Sequence, residues 1–414
     1  MIGRLDRAAG GLAVDLGLYA LSALFALLTA TTSTLATHRA WGAIAVWGYA
    51  AAALAVLVQL AMRRPVGRGL VTAAAWVATA LVPLTVLAAR HQAQEEVVVV
   101  EHAGRRLLDT GTPYLSRAAI AALPPDERLL RYTPYQPGMA LFGLTGADAR
   151  FGFALVTAVA IGAALVVLGR HAGGSALVRA GQAATVLPVC ALTLAVGGDD
   201  SPVLVLCLLA LALAARTRLV GAGLAVGAAG ALKLFAWPVA AVLLVHAVTR
   251  GRRSALAYAL PALGLPVAVL VPAVLVDADA VIENLVRFPA GRGLVSSPAQ
   301  SPFPGYLIAI GLPGGRAIAL VLLGVAALVI GGWILRRPPR DAAAVAAACA
   351  IGMLAAILLV PSTRFGYLLY PAAYAVWIPA LRGSARAADR QGVEQEGWPP
   401  TVTGAPPDRH SPSG

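Results

Sequence analysis

The residues best suited to chemistry lie in the stretch 95–137, which opens with Glu95 and Glu96 and contains His102 a few positions later. This stretch is the longest polar interval between two strongly apolar parts of the chain. A carboxylate can act as a general base, and a nearby imidazole can orient it, although a lone loop histidine is more often incidental. If the protein is an enzyme, we expect its reaction here.

The elements around this stretch are set by composition. Hydrophobic residues make up 59% of the 414 positions and charged residues 12%, and the mean hydropathy is +0.78. About a quarter of the residues of a soluble domain are charged, so the soluble class is excluded. The sequence predicts an all-α polytopic membrane protein.

Charge and cysteine usage exclude two further classes. The net charge of +13 comes from arginines scattered between apolar runs, so there is no single basic face for nucleic acid. Cys190, Cys207 and Cys349 lie within apolar runs and behave as small hydrophobes, and the histidines show no metal-type spacing. Neither a disulfide framework nor a metal site is predicted.

Apolar runs of about 20 residues, enough to cross a bilayer as helices, recur along the chain. The run 219–249 is too long for one span and short for two, so we predict a broken pair that bends near Lys233 and Pro238. We expect ten to twelve transmembrane helices, from the apolar segments 15–35, 41–62, 70–89, 151–169, 180–196, 202–215, 219–249, 255–276, 316–335, 342–361 and 365–381.

Arginine clusters orient these helices, because cytoplasmic loops are enriched in Lys and Arg. Both termini are predicted inside, within a single transmembrane domain over residues 1–382. The long loops 91–137 and 277–305 then fall on the outer face. Residues 383–414, rich in Gly, Pro, Ser and charge, are predicted to form a disordered cytoplasmic tail.

Residues 95–109 read as an amphipathic helix with Gly111 as its C-cap. An apolar stripe suited to the membrane interface is formed by Val97, Val100, Gly104, Leu107 and Leu108. Two interpretations stand at this level: a connector whose polar side faces water, or part of an active site.

The motifs of this loop resemble the first periplasmic loop of GT-C class membrane glycosyltransferases, most closely glycosyltransferase family 87. The matching elements are an acidic residue at Glu96 or Glu95, a helical segment 104–108, a Gly-Thr-Pro-Tyr turn ending at Tyr114, and a Tyr-Pro-rich segment 132–137 containing Tyr135. An Ala/Gly-rich helix ending in Lys233, followed by Pro238, is similar to a second family feature.

The resemblance implies an inverting, metal-independent transfer of a hexose, with mannose the expected sugar. The donor would be a polyprenyl-phosphate sugar, and the acceptor a hydroxyl of a glycolipid or lipoglycan at the outer face of the cell membrane. No cofactor is implied. Such chemistry needs a carboxylate to take the acceptor proton, with Glu96 the first choice and Glu95 the second.

Cations must hold the departing phosphate. Lys233 is a candidate because a cation inside an apolar segment is costly, although it could instead snorkel to the interface. Arg364 could bind the phosphate or serve as an interfacial anchor. Arg287 and Arg292, in the second long loop, could do the same or simply be solvated.

Asp199 and Asp200 form a rival acidic pair in the short turn GGDDSP. Such a pair could bind a divalent metal or an acceptor sugar. Asp is also an ordinary turn and N-cap residue ahead of Ser201 and Pro202, and we favour this structural interpretation. Tyr114 and Tyr135 are further candidates for contact with the acceptor.

One alternative function belongs to a different class: a membrane transporter or lipid flippase without transferase activity. That class predicts repeat symmetry and ionisable residues at the bilayer midplane. Here the carboxylates concentrate in one loop and no repeat is evident, which favours the transferase.

Overall fold

A computed structural model describes residues 6, 9–65, 67–169 and 172–396, with side chains described as far as residue 383. Within these residues the chain is helical and contains no β-strand, only an isolated bridge between Gln300 and Thr363. The predicted all-α class is confirmed.

The helices of the described chain are α1 (Leu12–Thr32), α2 (Ala36–Ala61), α3 (Arg68–Ala89), α4 (Glu95–Thr110), α5 (Arg117–Ala121), α6 (Ala149–Gly169), α7 (Gly174–Val196), α8 (Asp200–Ala215), α9 (Leu219–Leu232), α10 (Trp237–Thr249), α11 (Arg252–Val276), α12 (Ala278–Ile282), α13 (Pro304–Gly311), α14 (Gly315–Arg336), α15 (Ala342–Leu359) and α16 (Leu369–Glu396). Short 3-10 turns lie at Leu129–Arg131, Pro137–Gly143, Leu234–Ala236 and Phe365–Leu368.

Eight of these helices are long and apolar enough to cross a membrane, and three shorter apolar helices, α8 to α10, lie among them. Each predicted pass has a helix within the described residues. The protein is therefore a multi-pass membrane protein, with α4, α5, α12 and α13 as additional helices in the connections.

The central helix of the bundle is α8. Beyond Asp200 and Ser201 in the first turn, its side chains are apolar all round, and nearly every one is buried. It packs against α6, α9, α15 and α16, as expected for a helix without a polar face. Because α8 begins at Asp200, an acidic group stands at one end of the core.

The long apolar run 219–249 breaks where the sequence predicts. Helix α9 ends at Leu232, Lys233 adopts an extended backbone with φ −154° and ψ 145°, and α10 follows one 3-10 turn later. Pro238 stands in the first turn of α10, where its missing N–H costs no helical hydrogen bond. Lys233 therefore lies at the break, between α9 and the 3-10 turn.

At the end of the bundle away from Lys233, a buried arginine links neighbouring helices. Arg68, at the start of α3, donates from Nε to Asp15 Oδ2 of α1 at 2.6 Å and from Nη1 to Ser175 Oγ of α7 at 2.6 Å. Its side chain is only 7% exposed. Arg68 therefore connects α1, α3 and α7.

Helix α4 forms as predicted, and Gly111 caps it with φ +75°. The prediction that the apolar stripe of α4 lies in the membrane interface is wrong for three of its five residues. Val97, Val100 and Gly104 are buried within the protein, whereas Leu108 is 66% exposed. A Cβ built on Gly104 would lie 2.3 Å from the carbonyl carbon of Gly143, so α4 packs directly on the Pro137–Gly143 turn.

The connections are more ordered than the sequence predicts. The second long loop contains α12, a π-helical turn at Glu283–Arg287, and the start of α13 at its end. Helix α16 continues to Glu396, so the first part of the tail predicted to be disordered is helical. Residues 397–414 lie outside the described residues.

Candidate active site

Glu96 and Arg364 form an ion pair at one end of the bundle, which we call the site end; it carries the α3–α6 and α11–α14 connections and the α7–α8 and α15–α16 turns. Arg364 Nη1 donates to Glu96 Oε1. The Glu96 side chain is 12% exposed and that of Arg364 is 33% exposed. The carboxylate is thus largely shielded from water, while part of the guanidinium remains accessible.

Glu96 is the second residue of α4, whose start is fastened to α7. The N-cap residue Gln94 donates its backbone N–H to the Val196 carbonyl at 2.8 Å. Two carboxylates lie in this first turn, where the helix dipole favours negative charge. Glu96 points into the protein, whereas Glu95 is exposed.

Arg364 is held by the second long connection. Thr363 N donates to Ala299 O at 3.0 Å, and Ser301 N donates to Thr363 O at 2.9 Å. The Phe365 N–H then donates to Ser301 Oγ at 2.9 Å. The residues on both sides of Arg364 are therefore tied to the segment 299–301.

Lys233 lies between the two aspartates of the α7–α8 turn. Its Nζ donates to Asp199 Oδ2 at 2.7 Å and to Asp200 Oδ1 at 2.6 Å, and all three side chains are at most 8% exposed. Tyr370 OH donates to Asp200 Oδ1 at 2.8 Å. Two of the three ammonium N–H groups are thereby used.

Aromatic rings surround the same ammonium group. Lys233 Nζ lies 5.4 Å from the ring centroid of Tyr135, 5.5 Å from that of Phe235 and 5.3 Å from that of Tyr367. These distances are within cation–π range. Together with the two carboxylates, the rings replace the water that a buried ammonium has lost.

The Glu96–Arg364 ion pair and the group formed by Lys233, Asp199 and Asp200 make up one cluster. The pKa of Glu96 is affected by residues of both. Burial raises the pKa of the Glu96 carboxyl, and Asp199 raises it further, while Arg364 and Lys233 oppose the increase. A carboxyl with a raised pKa is a better proton acceptor than a free glutamate. We call Glu96, Arg364, Lys233, Asp199 and Asp200 the charged cluster.

The Tyr-Pro-rich segment lies against this cluster. Gln136 N donates to Leu232 O at 3.0 Å, which fixes the segment to the end of α9 beside Lys233. Tyr114 OH donates to Tyr135 O at 2.8 Å. Tyr135 therefore contacts the charged cluster, while Tyr114 supports Tyr135 from behind.

The structure places Arg287 and Arg292 apart from the charged cluster. Arg287 Nη1 donates to Asp279 at 2.8 Å. Next to it, buried Glu283 accepts from Arg117 at 3.0 Å and from Tyr132 OH at 2.8 Å. The backbone carbonyl of Arg292 accepts from Arg117. These residues tie the two long connections together and do not extend to Glu96.

His102 also lies away from Glu96, further along α4. Its Nδ1 is buried without a hydrogen-bond partner among the described residues. Burial lowers the pKa of His102, and Arg131, Arg105 and Arg106 lower it further. The imidazole does not contact the carboxylate that it was predicted to orient.

Four residues around the charged cluster, Phe235, Ser301, Tyr367 and Tyr370, were not among the sequence candidates. Tyr367 and Tyr370 follow Arg364 at a spacing of three residues, so the aromatic neighbourhood of Arg364 was a usable signal. Phe235 is adjacent to the predicted bend and could have been found the same way. Nothing in the local sequence marks Ser301.

The site gathers three carboxylates and two cations from the α4 start, the α7–α8 turn, the α9–α10 break and the α15–α16 turn. Carboxylates and cations therefore meet under the connections at one end of an apolar helical bundle. This arrangement is consistent with the GT-C class of glycosyltransferases.

The chain belongs to glycosyltransferase family 87, whose family model matches residues 132–362. The matched region contains Tyr135, Asp199, Asp200 and Lys233, whereas Glu96 precedes it and Arg364 lies two residues beyond it. No curated protein and no solved structure matches the chain. The protein is a membrane glycosyltransferase, and the predicted class is confirmed.

Proposed function

We propose that this glycosyltransferase moves a hexose, mannose, from a polyprenyl-phosphate sugar to a hydroxyl of a glycolipid or lipoglycan, with inversion at the anomeric carbon. The observation that carries the proposal is the convergence of Glu96, Arg364 and Lys233 with the Asp199–Asp200 pair at the site end. A base and a phosphate-binding cation side by side are what transfer from a sugar phosphate requires.

Glu96 is the general base in this proposal. Its carboxylate takes the proton of the acceptor hydroxyl while that oxygen attacks the anomeric carbon from the face opposite the phosphate. The bond between the anomeric carbon and the phosphate oxygen breaks, and the polyprenyl phosphate departs with the electron pair. Burial of Glu96 supports this role, because a raised pKa makes proton transfer more favourable.

Arg364 is the first candidate for the donor phosphate. Its side chain is one-third exposed while one guanidinium nitrogen contacts Glu96, so other N–H donors remain for an anion. Arg364 would then contact both the base and the leaving group. This proximity supports a site in which proton removal and phosphate departure occur together.

Lys233 has less freedom to bind phosphate directly, since Asp199 and Asp200 already accept two of its N–H groups. We assign it to neutralising the acidic pair and to fixing the position of Tyr135, with one N–H left for a ligand. The same contacts give the acidic pair an ammonium as its counterion.

The proposed orientation puts the site end on the outer face of the cell membrane. The loops at the opposite end are rich in arginine, which supports a cytoplasmic position for that end. A donor outside the cytoplasm must arrive on a lipid carrier, which is consistent with a polyprenyl-phosphate sugar. Chemical labelling of single cysteines in the two ends, in intact cells, tests this orientation.

The test uses the full-length protein in lipid nanodiscs with radiolabelled polyprenyl-phosphate-mannose and a membrane lipid extract as acceptor. We expect label in a new glycolipid, loss of transfer in Glu96→Gln by about 10²- to 10⁴-fold, and near-normal transfer in the matched control Glu95→Gln. Full transfer by Glu96→Gln would remove it as the base. Failure with several polyprenyl-phosphate sugars, together with substrate flux in liposomes, would favour the transporter instead.

A further inference from the structure

A histidine from the N-terminal helical hairpin reaches the start of the helix that carries Glu96. His38 lies in the first turn of α2, and its Nε2 is 2.8 Å from Nε2 of Gln94, 56 positions later in the chain. An unprotonated His38 Nε2 can accept from this amide, or a rotated amide can accept from a protonated one. Both arrangements join α2 to α4.

Gln94 is the point where three helices meet. Its backbone N–H donates to Val196 O at the end of α7, and its side chain packs against Gly197. A Cβ built on Gly197 would lie 2.8 Å from Gln94 Oε1, so the amide packs closely on this glycine. The Gln94 side chain therefore lies between α2 and the α7–α8 turn.

The start of α4 has no cap of its own. Gln94 is the N-cap residue, yet no side-chain hydrogen bond caps the helix there. Such a cap normally satisfies one of the unpaired backbone N–H groups in the first turn of a helix. In α4 the cap position is used for contacts with neighbouring helices, and Glu96 follows two residues later.

We propose that His38 is a positioning residue of the transfer site, which holds Glu96 against Arg364 through Gln94. The α1–α2 hairpin, which precedes the family-matched residues, then helps to position an active-site residue. The inference rests on the proposed role of Glu96 as the base. His38 itself does not contact the reacting atoms.

The electrostatic surroundings of Glu96 provide a specific readout. The charged or titratable groups that face it are Arg364, Asp199, Lys233 and Tyr135, and of these Arg364 is in direct contact. If the start of α4 loosens, Glu96 becomes more accessible to water and also moves away from Arg364. Burial is the larger of these two influences on Glu96, so its pKa should fall towards the ordinary value of glutamate. The acid limb of the pH–rate profile should therefore move to lower pH, which a simple loss of folded protein would not cause.

The experiment compares His38→Asn with His91→Asn in the full-length protein. Asn at position 38 is too short to reach Gln94, whereas His91 is an exposed loop histidine with φ +54°, a conformation that Asn tolerates. We expect His38→Asn to lower kcat/KM by about ten- to a hundredfold and to shift the acid limb to lower pH. His38→Gln, whose amide reaches as far as the imidazole, should restore both.

A second measurement does not depend on activity. Amide hydrogen exchange of residues 95–100, followed by mass spectrometry, should be faster in His38→Asn than in the wild type and unchanged in His91→Asn. Equal exchange in both variants would overturn the proposal whatever the donor. If Glu96→Gln stays active while exchange rises in His38→Asn, the base assignment fails and the contact between hairpin and helix stands.

Discussion

Glu96 and Arg364 are 268 positions apart in sequence and form an ion pair that neither residue's own element could provide. Glu96 stands at the start of a 16-residue helix, and Arg364 stands in a turn between two long helices. The pair brings the proposed base and the proposed phosphate ligand into contact. Most of the expected behaviour of the site follows from this contact.

The pH dependence of transfer should report on Glu96. Because burial raises its pKa, the carboxylate form is lost as pH falls through a value above the usual range of glutamate. We expect the acid limb of kcat/KM to lie correspondingly high. The measurement is radiolabel transfer at saturating acceptor across a pH series, with protein integrity checked at each pH.

Removing the charge of Arg364 should move the acid limb of kcat/KM to a still higher pH. Arg364→Gln deletes the nearby cation, so the pKa of Glu96 should rise and transfer should fall off at a higher pH than in the wild type. The KM for the donor should also increase, because the phosphate loses its cation. Arg253→Gln, which removes an exposed arginine at the opposite end of the bundle, is the control and should change neither quantity.

Lys233→Met should destabilise the protein strongly. It leaves Asp199 and Asp200 buried without their cation, which costs about 3–5 kcal/mol when one partner of a buried pair is removed. Thermal unfolding in detergent should show a lower Tm. Adding Asp199→Asn and Asp200→Asn to Lys233→Met should recover much of the loss. A triple variant as unstable as the single one would contradict the assignment of Lys233 as their counterion.

The close approach of α4 to the Pro137–Gly143 turn should tolerate no side chain. In Gly104→Ala the new Cβ meets backbone atoms of Gly143 within 2.6 Å, so α4 must shift. A displacement of about 1 Å near a catalytic group can lower the rate by about a hundredfold. Gly162→Ala, in α6 with open space around the site of its Cβ, is the matched comparison. Equal transfer by both variants would argue against a fixed position for α4.

Ser301 should influence donor binding through Arg364. Ser301→Ala removes the oxygen that accepts from the Phe365 N–H, which costs about 1 kcal/mol and loosens the turn that presents the guanidinium. We expect a higher KM for the donor with a smaller change in kcat. Ser296→Ala, an exposed serine in the same connection, provides the control. An equal KM for the donor in Ser301→Ala and Ser296→Ala would show that Ser301 does not influence donor binding.

The sequence by itself determined the membrane class, the position of each apolar helix, the break at Lys233 and the Gly111 cap of α4. These features depend on local hydropathy, on proline and on glycine, whose effects act within a few residues. The carboxylate-rich loop was also visible, and its first turn contained both candidates for the base. The roles of these residues in catalysis stay predictions.

Only the tertiary structure decided which candidates meet. Consecutive residues of a helix differ by about 100° in direction, so packing on the Pro137–Gly143 turn directs Glu96 inward and leaves Glu95 exposed. Lys233 reaches Asp199 because α8 and α9 lie side by side, while Arg287 stays with Asp279. Contacts between distant segments depend on how helices pack, and hydropathy carries no information about packing angles.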